Sequence, residues 1–201
     1  MLRRLIVILS ILMMTPAALM AQDDFVVFVS DDETFSIEHP EGWVISDLVA
    51  EGAAITATNS PRLVDQLNSA IIDDFQSGEQ ALMLFFIPTD LFSSTGVPFK
   101  QDVTPEEFIA AIRDLVMSSD DGSLTFNEPE VVFFDERPIG IIQFSDSEAV
   151  ADGYYLAWDS DGIVVIALVI AYRDELEDFE GVAFDMLASF QLMISAEDLN
   201  P

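Results

Sequence analysis

Nine consecutive apolar residues, Ile163-Val164-Val165-Ile166-Ala167-Leu168-Val169-Ile170-Ala171, restrict the fold of this chain more than any other stretch. The run is less than half the roughly 20 residues that a bilayer-spanning helix needs. Its β-branched side chains favour an extended strand, and a strand apolar on both faces must be covered on both. The remaining sequence therefore has to supply two covering layers. Tyr154 to Trp158 precedes the run and joins it through Asp159-Ser160-Asp161-Gly162, whose Asp-Gly pair predicts a hairpin.

Three stretches carry the spacing of helices that could form such layers. Leu63, Leu67, Ala70, Ile71 and Phe75 share one helical face, behind Asn59 or Ser60 as N-cap and Pro61 in the first turn. Thr104-Pro105-Glu106-Glu107 has the capping-box arrangement and opens a second helix with Phe108, Ile109, Ile112, Leu115 and Val116 as its buried stripe. Asp120-Asp121-Gly122 closes it. Leu176, Phe179, Ala183, Met186, Leu187 and Phe190 mark a third helix, with Asp174 as its cap. Strands are predicted at Phe25 to Val29, in the alternating Phe35-Ile37-His39, at Ala53 to Thr58, at Ala81 to Ile87, and in a hairpin of Val131 to Phe134 with Ile139 to Phe144. Pro40 and Gly42 break the second of these, which re-enters the sheet with Trp43-Val44-Ile45. The expected fold is α+β: a single α/β/α sandwich with a mostly antiparallel central sheet and helices on both faces.

Residues 1–21 stand outside that domain. Arg3 and Arg4 precede an apolar run from Leu5 to Met14, and small residues end the stretch at Ala21, which reads as a secretory signal peptide; an uncleaved N-terminal membrane anchor is the alternative. The domain is expected over 22–201, placed in the periplasm, at the extracellular surface or secreted. It holds five cations (Arg62, Lys100, Arg113, Arg137, Arg173) against 37 acids. Nucleic acid and anionic membrane surfaces need clustered Lys and Arg, so both are excluded as partners, as is membrane insertion of the mature domain. An acidic exterior instead favours solubility and weak divalent cation binding. There is no cysteine, so the core alone must stabilise the exported domain; with 51% hydrophobic residues and 16 Phe, it is no disordered acidic tail.

Little in the chain is catalytic. His39 is the single histidine and shares a strand face with Phe35 and Ile37, which reads as packing. Without cysteine or a second histidine, zinc, haem or copper would lack its usual ligands. No Gly-x-Ser-x-Gly elbow presents a nucleophile, and no glycine-rich turn followed by Lys-Ser or Lys-Thr cradles a phosphate. Among 37 acids a carboxylate pair cannot be recognised by counting. Asp159-Ser160-Asp161-Gly162 begins like a calcium loop, yet Ile170 stands where the distal glutamate belongs. Asp120-Asp121-Gly122 has adjacent rather than alternating carboxylates. No catalytic, cofactor-binding or metal residue is assigned, and no cofactor is expected.

His39-Pro40-Glu41-Gly42-Trp43 after a phenylalanine-bearing strand resembles the Tyr-Pro-x-Gly-Trp signature of the PsbP-like superfamily, with a histidine where an aromatic is usual. The closing Met186-Leu187-Ala188-Ser189-Phe190-Gln191-Leu192 is similar to the end of those domains, where the final helix stops in a Ser-Phe pair. The superfamily includes photosystem extrinsic subunits, Ran-binding import factors and periplasmic proteins of the DcrB type. The resemblance implies an α/β/α sandwich and a non-catalytic role, and transfers no binding residue. The expected function is an exported, non-enzymatic accessory or protein-binding domain of the cell envelope. Leu91, Phe92, Val97 and Phe99, in the loop from Pro88 to Lys100, are the candidate contact surface. A carrier of small apolar ligands, with a pocket between sheet and helices, is the alternative, and an enzyme of unknown type the third reading.

Overall fold

The apolar run forms β10 (Ile163–Tyr172), the middle strand of the main sheet, in a computed structural model that describes residues 24–31, 33–48, 54–68, 74–89, 103–119, 122–134 and 136–194. Its neighbours are β5 (Gln80–Pro88) on one side and β9 (Ala151–Ser160) on the other, both antiparallel. Beyond β5 lie β4 (Ala54–Thr58) and β3 (Val44–Leu48). Beyond β9 lies β8 (Arg137–Asp146), whose outer side is shared by β6 (Leu124–Phe126) and β7 (Glu130–Phe134). A second sheet of three strands joins β1 (Phe25–Val29), β2 (Phe35–Pro40) and β11 (Gln191–Leu192).

The two-sided burial predicted for the run is observed. Side chains alternate across a strand, so Ile163, Val165, Ala167, Val169 and Ala171 point to one layer and Val164, Leu168 and Ile170 to the other; all are buried. The first set packs with Phe179, Ala183, Met186 and Leu187 of α3 (Leu176–Ser189) and with Phe35 and Ile37 of the small sheet. The second set meets Leu63 and Leu67 of α1 (Pro61–Asn68) and Phe108, Ile109 and Ile112 of α2 (Pro105–Ser119). Each apolar side chain buried this way contributes about 1.5–3 kcal/mol. The α/β/α sandwich follows from that requirement.

Local signals placed several elements correctly. The capping box closes reciprocally: the Glu107 carboxylate accepts from the Thr104 N–H at 3.1 Å, and the Thr104 hydroxyl from the Glu107 N–H at 3.3 Å. Asp161 and Gly162, both at positive φ (51° and 85°), make the two-residue turn of the β9–β10 hairpin.

Four expectations are corrected. The break at Pro40 and Gly42 does not return the chain to the same sheet: β2 belongs to the small sheet and β3 to the main one, so the corner carries the chain between layers. Phe75 joins the cluster of Leu63 and Leu67 from a segment outside any helix or strand, its N–H donating to the Ala149 carbonyl, and not from α1; Ala70 and Ile71 lie outside the described residues. Neither Asn59 nor Ser60 caps α1 with its side chain. Asn59 bridges the Gly78 carbonyl and the Gln80 N–H at 2.7 and 2.9 Å, and the Ser60 hydroxyl donates to Glu79. Asp174 lies in the left-handed region (φ 67°) ahead of the N-cap Glu175 and does not cap α3. Glu175 instead accepts from the Ser77 hydroxyl and the Gly78 N–H at 2.5 and 2.7 Å.

Glu79, nearly buried at the start of β5, accepts from both Arg62 and the Gln76 N–H as well as from Ser60. Burial pushes its carboxyl up, but the Arg62, Gln76 and Ser60 hydrogen bonds outweigh that and hold it below its ordinary value of 4.5. A folded value below the unfolded one means that ionised Glu79 stabilises the fold above about pH 4.5 and loses that contribution as pH falls through the folded value. Glu79→Gln is therefore expected to melt lower than the parent at pH 7 and to approach it on acidification. Melting curves taken every half unit from pH 7 to 3 test this, and a constant gap across the range contradicts it.

Candidate functional site

Three surfaces stand out on the described residues: an apolar edge, an acidic groove and a cleft at the end of the main sheet. Among the described residues, β1 has a strand neighbour on one side only, β2. Phe25 and Phe28 turn towards the core, Phe28 lying 5.8 Å from the Phe35 ring. Val26, Val27 and Val29 stay 39%, 64% and 48% exposed. Edge strands are usually protected by lysine, proline or a bulge, and Phe25-Val26-Val27-Phe28-Val29 carries no charge and no proline. Acids surround this patch: Asp24 and Asp31 flank the strand, and Glu38 stands opposite Val27.

The acidic groove, about 210 Å³, lies between β7, β8, β9 and α3 and holds Glu128, Glu130 and Glu180 beside Tyr154 and Phe184. The Tyr154 hydroxyl donates to Glu180 at 3.0 Å. Burial and then the Glu180 carboxylate push that phenol up to about 12. Tyr155 rises to about 12 as well, by burial and then the charge of Asp146. Both phenols therefore keep their protons near neutral pH, and neither serves as a base there.

The cleft, about 590 Å³, opens where β8, β9 and the β9–β10 turn end beside the start of α2. Phe108, Pro105 and Pro138 form its apolar wall, and Arg137, Trp158 and Asp159 its polar one. Asp159 is raised above its ordinary value by burial and by Asp161, against a hydrogen bond from the Gly162 N–H. Asp159 ends β9 and Asp161 lies in the hairpin turn, and among the described residues no group of three His, Asp or Glu side chains is arranged to hold a metal ion.

The residues of the Pro-x-Gly-Trp corner pack instead of forming a site. His39 is buried with its Nδ1 3.0 Å from the Pro40 carbonyl oxygen, and the Trp43 ring lies 5.6 Å from Phe179 of α3. Ser189, at the end of that helix, accepts from the Glu38 N–H at 2.8 Å and donates to the Met186 carbonyl at 2.7 Å. Phe190 stacks on Phe86 at 5.4 Å and meets Trp158 edge-on. The corner and the Ser-Phe pair, 151 residues apart at their hydrogen bond, thus clamp the small sheet to the final helix.

No protein-family model and no curated protein matches the sequence. Solved structures do. The solution structure of cyanobacterial PsbP (CyanoP) from Synechocystis sp. PCC 6803 is similar with a TM-score of 0.53 at 10% identity, over 85% of this chain and 93% of that one. The fold is PsbP-like. The 1.9 Å crystal structure of the Saccharomyces cerevisiae Ran-binding protein Mog1p is similar too, with a TM-score of 0.51 at 9% identity, over 88% of this chain and 98% of that one. At such identities the likeness establishes the path of the backbone, and function has to be read from this chain's own residues.

On this PsbP-like frame the candidate contact residues Leu91, Phe92, Val97 and Phe99 lie outside the described residues, as do the predicted signal segment and Asp120 and Asp121. The surfaces described here were not singled out by the sequence. Phe25 to Val29 reads there as an ordinary apolar strand, because nothing local tells an edge from a centre. Arg137 reads as a turn residue and Trp158 as a strand residue; that they share a cleft is a product of the β8–β9 pairing. No helix among the described residues is long and apolar enough to cross a membrane.

Proposed function

We propose that this chain is a non-enzymatic accessory domain of the cell envelope, exported by its first 21 residues, that works by binding another protein along β1. The observation that carries this reading is the apolar edge of β1, which has no second strand neighbour among the described residues and leaves Val26, Val27 and Val29 exposed. An open edge supplies a row of backbone donors and acceptors, and a partner segment adding as one more strand satisfies them while covering the valines. The acids around the patch favour a segment flanked by lysine or arginine, in keeping with a chain of net charge −30. The signal segment predicted at residues 1–21 and the scarcity of nucleophiles and metal ligands in the sequence support the same reading. So does the Ran-binding description of Mog1p, a protein of similar fold.

A photo-crosslinking residue at Val27 in the native envelope tests this. It is expected to capture one protein, and capture is expected to fall at least tenfold with Val29→Lys while the melting temperature stays within a few degrees. Capture that survives Val29→Lys, or that is equally strong from exposed Glu177 on α3, contradicts the proposal. A crosslink only to a second copy of the chain would replace the accessory role with self-association.

A further inference from the structure

The backbone groups that β1 leaves open can be assigned residue by residue. Opposed residues of an antiparallel pair alternate between hydrogen-bonded and non-hydrogen-bonded. Glu41 donates its N–H to the Asp24 carbonyl at 2.8 Å, and Ser30 its N–H to the Phe35 carbonyl at 3.1 Å, so the backbones of Asp24 and Ser30 turn towards β2. Val26, opposite His39, and Phe28, opposite Ile37, turn the same way. Phe25, Val27 and Val29 therefore aim their N–H and C=O groups at the side with no strand neighbour among the described residues. The Glu38 N–H agrees with this phase, since it donates to Ser189 and so points away from its partner Val27. Side chains divide by the same alternation. Val26 and Phe28 share the inner face with buried His39 and Ile37, whereas Val27 shares the outer face with exposed Glu38, and Val29 with Ser36.

We infer that the segment received by β1 alternates lysine or arginine with apolar residues, its basic side chains lying over Val27 and Val29 and its apolar ones beside Val26 and Phe28. The inference rests on the strand addition proposed above and names the chemistry of the strand that adds. Such a strand lies about 4.8 Å from β1 and roughly 10 Å from β2. A lysine on its outer face crosses Val27 with its aliphatic stem and brings its ammonium towards the Glu38 carboxylate, which has no cation partner among the described residues. The stem covers the most exposed residue of the strand, Val27 at 64%. Apolar side chains on the inner face extend the layer in which Phe28 meets Phe35. A second copy of β1 fits poorly. It carries no base of its own, and it brings another net charge of −30, with a second set of Asp24, Asp31 and Glu38, against the same acids.

The probe is the peptide Lys-Val-Lys-Val-Lys-Val, blocked at both ends and titrated into the protein while the backbone amides are followed by NMR. Three relatives accompany it: Thr-Val-Thr-Val-Thr-Val, Lys-Lys-Lys-Val-Val-Val, and the first peptide with every amide N-methylated. The alternating lysine peptide is expected to bind saturably and to shift the amides of Phe25, Val27 and Val29. The block peptide, of equal charge, is expected to bind at least tenfold more weakly, and the threonine peptide about three- to tenfold more weakly. Glu38→Gln, at an exposed position, is expected to fold normally, to weaken the lysine peptide about threefold and to leave the threonine peptide unchanged. Equal affinity for the lysine and threonine peptides, or a Glu38→Gln effect that is absent or the same for both, overturns the basic-apolar pattern and leaves strand addition standing. Equal affinity for the block peptide overturns the pattern too, because bulk attraction would then account for the binding. Undiminished binding of the N-methylated peptide, or shifts that spare β1, overturns strand addition and this inference with it. No saturable binding at millimolar lysine peptide also overturns the inference.

Discussion

Phe86→Ala is expected to cost about 3–5 kcal/mol and to lower the melting temperature by roughly 10 °C or more. Phe86 is 1% exposed in the layer between the main sheet and the small one. Its ring stacks parallel on Phe190 at 5.4 Å and lies 6.0 Å from Phe35. It therefore joins β5, β2 and the end of α3 through one side chain. Truncation removes the apolar area and leaves a cavity bordered by three separate elements, which would all have to move to close it. Thermal unfolding of the variant measures this. A loss under 1 kcal/mol would mean that the small sheet docks independently of this cluster.

The second large effect is expected at Gly140. A Cβ there would sit 2.2 Å from the Pro105 carbonyl oxygen and 3.0 Å from the Ile109 Cβ, because the first turn of α2 lies directly on β8. The obstacle is backbone, which cannot rotate out of the way. Gly140→Val must push the start of α2 off the sheet, loosening Phe108, Ile109 and Ile112 from Ile142 and Ala157. Overpacking usually costs about 1–3 kcal/mol, and a clash with helix backbone belongs at the upper end or beyond. The expected signature is a destabilised domain in which α2 exchanges its amide protons faster than α3. Unchanged melting would show that α2 can shift without loss.

The parts of this fold that could be read in the sequence are those whose determinants are neighbours along the chain. Asp161-Gly162 marks its hairpin, Thr104 and Glu107 mark a helix start three residues apart, and the run from Ile163 announces a covered strand by composition alone. The errors have the opposite character. Asn59 is a plausible cap until Gly78 and Gln80 claim its amide, and Asp174 until Asp152 takes its N–H. β6, three residues long, is held by Ser145 and its neighbours in β8 and has no period of its own. The switch of sheets between β2 and β3 depends on Leu192 pairing with Phe35, more than 150 positions away. The surfaces were harder to read, since the exposure of Val27 is a fact about what fails to pack against it. His39 was legible as a packing residue from its strand face, and in the fold it is buried in the clamp between corner and helix beside Trp43.

Hydrogen exchange of the domain, alone and with the protein captured through Val27, is the most direct test of function by strand addition. The amides of β1 that face away from β2 are expected to exchange quickly in the free domain and to slow by at least tenfold in the complex, while α3 keeps its free rates. Protection that appears elsewhere and leaves β1 unchanged would contradict it.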